Sequence, residues 1–322
     1  MNLFKAIGGG LLMGSRSWRI ALLLWLMSLL FAIPAAVFIE EAVHEFIGSS
    51  LAHETLRGPM DLAWLEEFMD EAGGMISTVE PSRLSPAAVL DNLELWFSGD
   101  LFKENLGLAA LGILFGLFWT LMSGGVLAHL TGPVDHRGLA PFLAASSRYF
   151  FRFLRLVVAA GLAYYGIYRF STWLFPSIER ATRDVTVEGT VLAYNLVGAA
   201  FVVLLLVLVR VVVDYAKIGT VIEERRSMSL AAVRAVQLVV THPIRTLGVY
   251  FSMGLLGLLL TAVYFFLVPD VAGSGLGPVV LALVVGQLYL LLRWTLRIGL
   301  LGAESVVFQS IHGYRRRVAS RL

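Results

Sequence analysis

Six stretches of roughly twenty apolar residues interrupt this chain, and a stretch of that length has few ways to fold. They cover residues 18–39, 106–130, 153–175, 190–213, 246–268 and 277–300. A helix rises about 1.5 Å per residue and the hydrocarbon core of a bilayer is about 30 Å thick, so each stretch is long enough to cross it once as a helix. Within each run the apolar residues are continuous rather than alternating, which excludes the strands of a membrane barrel. The whole composition agrees: 58% of residues are hydrophobic and 15% charged, against about 25% charged in a soluble domain. The expected fold is therefore all-α: a polytopic bundle of six transmembrane helices forming a single domain over residues 1–322.

The first run follows Lys5 and Arg16, and within it Ala35 and Ala36 follow Pro34, as at the cleavage site of a signal peptide. It exceeds the signal core of roughly 7–15 residues, so it is read as a span. The chain has no cysteine, which removes disulfides, thiolate nucleophiles and thiolate metal ligands from consideration.

Lysine and arginine decide which loops stay in the cytoplasm. With the N-terminus inside, nineteen of the twenty-five basic residues fall on the inner side, and the inverted arrangement leaves six there. Both termini are expected in the cytoplasm, and the near-neutral net charge of +2 conceals a strong asymmetry across the membrane. Between the first two spans, residues 40–105 form the one sizeable outer insertion. Leu62, Leu65, Phe68 and Met69 recur at helical spacing there, and Ser85 with Pro86 opens a second amphipathic helix carrying Val89, Leu90, Leu93 and Trp96. These two helices are expected to form a small outer cap. The other outer loops are expected to be short, at residues 176–189 and 269–275.

Just before the first, third and fifth spans the chain reads Ser15-Arg16-Ser17-Trp18-Arg19, then Ser147-Arg148-Tyr149-Phe150-Phe151-Arg152, then Thr241-His242-Pro243-Ile244-Arg245. Each copy has a hydroxyl, a basic residue, a bulky apolar residue and an arginine, the repeat arginines being Arg19, Arg152 and Arg245. A second echo ends the even spans at Gly125, Gly219 and Gly299. The implied unit is a cytoplasmic amphipathic segment, an outward span and an inward span, occurring three times in parallel about an axis along the membrane normal. Chance similarity between apolar segments is the rival reading.

The densest polar cluster falls where the fourth span meets the cytoplasm: Arg210, Asp214 and Lys217, with Glu223, Glu224, Arg225 and Arg226 following. Arg210, Asp214 and Lys217 lie one helical turn apart on one face. Arg293 and Arg297 stand at the equivalent depth of the sixth span, with Gln287 further in. Ionisable groups in spans turn inward and pair, and they often mark a pathway. Near the end of a span they also serve as a structural ion-pair layer, which is the expectation here, with Asp214 paired to arginine. Outside the membrane, Glu41 and His44 stand at the spacing of carboxylate-histidine metal sites, with His53, Glu54 and Asp61 following. An acidic, solvated helix start accounts for them, so no metal and no cofactor is expected.

No phosphate-binding loop, zinc-protease motif or serine-hydrolase elbow occurs. No span is broken at mid-membrane by paired glycine and proline, the usual pointer to a transport site. Gly8-Gly9-Gly10 precedes no strand and is not a dinucleotide loop. Residues 139–155 and 230–245 mix basic and apolar residues, as helices lying in the headgroup layer do. The expected partners are anionic membrane lipids and a larger membrane complex. The basic tail Tyr314-Arg315-Arg316-Arg317 is explained by orientation, and no nucleic acid is expected.

The stretch Asp214-Tyr215-Ala216-Lys217-Ile218, continuing through Val221 to Ser227 and on to His242-Pro243, resembles a group of uncharacterised bacterial inner-membrane proteins. Gly124-Gly125 and residues 150–156 resemble the same group. A looser similarity extends to the membrane domain that accompanies some glycerophosphodiester phosphodiesterases, without their catalytic barrel. The resemblance implies a bacterial inner membrane and a six-helix architecture, and no reaction. Function is accordingly expected to be non-enzymatic: structural, accessory or assembly. Transport or lipid handling is the alternative, and an outer-face metal enzyme the remote one.

Overall fold

The computed structural model describes residues 3–49, 106–132, 138–185, 187–269 and 276–313. Every regular element among them is an α-helix. In chain order these are α1 (Leu3–Arg16), α2 (Trp18–Ser49), α3 (Leu106–Thr131), α4 (Leu139–Thr182), α5 (Glu188–Ile222), α6 (Met228–Thr241), α7 (Pro243–Leu267) and α8 (Leu276–Ile311). Six of the eight, all but α1 and α6, are long and apolar enough to cross a membrane. The chain is an all-α bundle of the multi-pass membrane class. The proposed outer cap lies outside the described residues.

Several expected boundaries move: α2 continues past residue 39 to Ser49, into the expected outer insertion, α5 past 213 to Ile222 and α8 past 300 to Ile311. The loop expected to begin at Pro176 is still helix, since α4 runs without a break from Leu139 to Thr182. A proline deletes only its own bond to the carbonyl four residues back. The bonds on either side persist, and Ser177 Oγ donates to the Trp173 carbonyl at 2.7 Å. The same helix contains the segment expected to lie in the headgroup layer, so in the second of the expected units that segment and its span are one continuous helix of about 66 Å at the usual rise. In the other two expected units the break is local. Ser17 separates α1 from α2, and α6 passes to α7 through His242, where Pro243 opens the new helix because the N–H that proline lacks is one its first turn does not need.

Helices α3, α5 and α8 touch one another pairwise and form a central triangle. Around it, α2 sits beside α8 and α3, α4 beside α3 and α5, and α7 beside α5 and α8. The buried side chains gather at one end of this triangle, here called the base. They include Met122, Val126 and Leu127 of α3, Tyr215 and Ile218 of α5, and Ile298, Leu301 and Phe308 of α8. Three segments close the base from outside, each against the last turns of a triangle helix. α1 covers α8, the start of α4 covers α3, and α6 covers α5.

Two of these contacts depend on glycine because the backbones nearly touch. A methyl group on Gly10 would come 2.5 Å from the Gly299 carbonyl and 2.6 Å from Ala303 Cβ. A methyl group on Gly125 would overlap Ser146 Oγ and come 2.8 Å from the Phe142 carbonyl. Small residues at such crossings let helices associate in lipid through close van der Waals contact, where no hydrophobic force draws them together. Of the glycine run 8–10, which lies within a helix and is no nucleotide loop, Gly10 belongs to this seam, whereas Gly8 meets nothing within 4 Å. At the third contact Thr220 Oγ1 lies 3.6 Å from Met228 Sδ, without an equivalent glycine.

Candidate functional site

The last four turns of α5 carry Arg210, Asp214, Tyr215 and Lys217, and their helical spacing brings them to the base of the triangle. Asp214 is 1% exposed. Arg297, reaching across from α8, donates from one terminal nitrogen to both carboxylate oxygens, at 2.9 Å and 3.1 Å. Arg210 Nε stands 3.5 Å from the same carboxylate, one turn back on its own helix. A carboxylate removed from water requires this kind of enclosure, because the loss of solvation must be recovered from paired charge and hydrogen bonds. The Arg297 guanidinium also lies over the Trp119 ring of α3, 5.9 Å from its centroid. A single ion pair thus ties all three triangle helices together.

Lys217 is buried on the same helix but forms no ion pair among the described residues. Its ammonium rests 5.6 Å from the centroid of Phe153 on α4, a cation–π contact. Above the ion pair, towards the other end of the bundle, the polar groups of α8 are engaged singly. Trp294 Nε1 donates to Ser28 Oγ at 3.1 Å, and Trp25 Nε1 donates to Gln287 Oε1 at 3.0 Å, both reaching between α2 and α8. Arg293 is exposed and stands apart. Gln287, Arg293 and Asp214 therefore have three different surroundings.

The acidic residues after α5 belong to a separate layer. α5 ends with Glu223, whose N–H donates to the Gly219 carbonyl, and the Arg225 N–H reaches back to Thr220 at 3.2 Å. Glu224 between them has φ 51°, the left-handed position that closes helices and normally holds glycine. This turn aims Glu224 at Arg148 of α4, 3.2 Å away, and pairs Glu223 with Arg225. Of the three repeat arginines, Arg152 donates to the Arg225 carbonyl at 3.1 Å, whereas Arg19 and Arg245 are exposed at the starts of their helices. The arginines thus share a position in the chain without sharing a partner.

Glu304 and Tyr215 carry no role in the sequence reading, yet they are the least expected side chains in the base. Both are fully buried, and the two Glu304 oxygens and the Tyr215 hydroxyl have no hydrogen-bond partner among the described residues. The charged groups around Glu304 are Asp214 and Arg210 from α5 and Arg297 from α8. One signal for it was present. Glu304 follows Arg297 by seven residues, two turns on the same face, amid the small residues Gly302, Ala303 and Ser305. Composition alone did not distinguish that position from a solvated end of the helix.

The outer metal reading gains one contact: His44 Nε2 lies 3.8 Å from Glu40 Oε1, with both side chains exposed. No group of three metal-ligating residues occurs among the described residues, and His53, Glu54 and Asp61 lie outside them. Comparison with family models, curated proteins and solved structures finds no match.

Proposed function

We propose that this chain is a non-enzymatic component of the bacterial inner membrane, with both termini in the cytoplasm, serving a structural, accessory or assembly role in a larger membrane complex. The observation that carries this reading is the base of the triangle. The charged groups that a transport path would use are instead spent on fastening helices, with Asp214 held by Arg297 and Arg210. The resemblance noted in the sequence supports the bacterial inner membrane, and the basic residues support the base as the cytoplasmic end. Three parallel two-helix units account for the packing order. Each amphipathic segment covers the inward helix of the preceding unit, and α1 returns to α8 to complete the cycle. The exposed basic and apolar residues of these segments fit anionic lipid at that face.

Purification from native membranes in mild detergent tests the proposal. A membrane partner in fixed ratio to the chain is the expected result. A chain that emerges alone and shows turnover or transport alone would overturn it.

Transport or lipid handling keeps one observation in its favour: Glu304 and Tyr215 in the base have polar atoms without a hydrogen-bond partner among the described residues. Reconstituted in proteoliposomes, a transporter would lose flux on Glu304→Gln while retaining its fold. A structural component would show no flux for that substitution to remove.

A further inference from the structure

The basic residues at the base are not evenly spread. On α4, Arg148, Arg152 and Arg155 occupy one helical face at steps of four and three. The turn after α5 brings Arg225 and Arg226 alongside, because Arg152 donates to the Arg225 carbonyl at 3.1 Å. Tyr149 lies between two of these cations, with the Arg148 and Arg152 guanidinium carbons 5.7 Å and 5.6 Å from its centroid. Five arginines therefore gather beside two carboxylates. Glu224 engages Arg148 and Glu223 engages Arg225. Arg152, Arg155 and Arg226 have no ion pair among the described residues, leaving a local excess of three positive charges.

An apolar track begins at that patch. Phe151, beside Arg152 and one turn before Arg155, is 69% exposed, and Val158, Leu162 and Tyr165 continue the outward face at helical spacing. From Phe151 to Tyr165 the track rises about 21 Å, more than the roughly 15 Å depth of one leaflet's hydrocarbon. Cationic forks that match phosphate oxygens, set at the foot of an exposed alkyl-lined stripe, complement an amphiphile. A soluble phosphate would use the arginines and leave the track idle.

We propose that Arg152, Arg155 and Arg226 form a binding site for the headgroup phosphate of an anionic phospholipid, whose acyl chain lies along Phe151, Val158 and Leu162 of α4. The site rests on the reading of the base as a lipid-contacting face and makes it specific: one lipid is held at the junction of α4 with the turn between α5 and α6. Arg148 borders the site but is already neutralised by Glu224, so its contribution is to hold the turn in place.

Native mass spectrometry of the full chain, released from nanodiscs of phosphatidylcholine mixed with phosphatidylglycerol, tests this. The expected result is one phosphatidylglycerol retained in preference to phosphatidylcholine. A variant carrying Arg155→Ala and Arg226→Ala should hold it about tenfold more weakly, on the scale of a lost charge-assisted contact. A control variant carrying Lys5→Ala and Arg16→Ala, at the other side of the base, should retain it as wild type does, and equal melting temperatures of the three proteins establish that all are folded. If both variants lose the lipid equally, the base attracts anionic lipid by general charge and the site is overturned while the broader reading stands. If wild type shows no preference for phosphatidylglycerol, both fail. Displacement of the lipid by inorganic phosphate at matched ionic strength would show a soluble-anion site and overturn the assignment to lipid.

Discussion

Asp214 is the residue on which most of the charged chemistry converges, and its environment makes an asymmetric prediction. Removing one partner of a buried pair leaves the other uncompensated, at a cost of about 3–5 kcal/mol. Asp214→Ala should accordingly lower the melting temperature of the detergent-solubilised protein sharply. Asp214→Asn keeps an acceptor oxygen for Arg297 and should cost less. Equal melting of Asp214→Ala and wild type would show that the pair fastens nothing. Glu224 makes the opposite case, because its backbone rather than its charge is the constraint. Glycine relieves the left-handed conformation by roughly 1–2 kcal/mol, its freer unfolded chain costs back roughly 0.4–1 kcal/mol, and the exposed pair with Arg148 is worth about 0–1 kcal/mol. Glu224→Gly should therefore melt within about 1 kcal/mol of wild type by these opposing terms. Glu224→Val should melt distinctly lower, since a β-branched residue resists positive φ. A valine variant as stable as the glycine one would contradict the turn described at the end of α5.

Among the elements, α1 has the closest backbone approach and is the most sensitive to a single added side chain. Gly10→Val has no flexible neighbour to push aside, only the Gly299 carbonyl and Ala303, so α1 must lift from α8. Limited trypsin digestion of the solubilised protein should then cut faster at Arg16, which follows the seam, while Gly8→Val, which meets no atom within 4 Å, should cut at the wild-type rate. Equal cleavage of the two variants would contradict the seam. The same logic explains why the bundle is tight at one end. Close approach occurs where small residues face each other, and the first half of α8, from Leu276 to Gln287, has no buried residue, so its apolar side chains are left to lipid.

For the whole molecule, α1 packs along the last turns of α8, so the described ends of the chain lie together at the base. The proposed orientation, argued from the basic residues, puts that end in the cytoplasm. Because the chain contains no cysteine, single introduced cysteines report sidedness directly. Leu3→Cys and His312→Cys should both be shielded from an impermeant thiol reagent in intact spheroplasts and both react in inverted membrane vesicles. Labelling of either in intact spheroplasts would overturn the orientation.

The six spans were legible in the sequence because they express length and solvent: about twenty apolar residues match one membrane thickness whatever lies beside them. The pairing of Asp214 with arginine was legible for a related reason, since a carboxylate at that depth has few other ways to be buried. The choice of Arg297 over Arg293 was not legible. Both stand on α8 one turn apart, and only the packing of α5 against α8 brings one to Asp214 and leaves the other exposed. Glu304 was illegible for the same reason, because burial at the end of a helix depends on which neighbours close over it. The continuity of α4 through Pro176 was likewise decided by the fold, where the bonds on either side of the proline hold the helix. Sequence by itself determined which segments cross the membrane and where charge collects, through local length, hydropathy and spacing. Tertiary structure decided which charges meet and which side chains lose water, because both depend on helices brought together from distant parts of the chain.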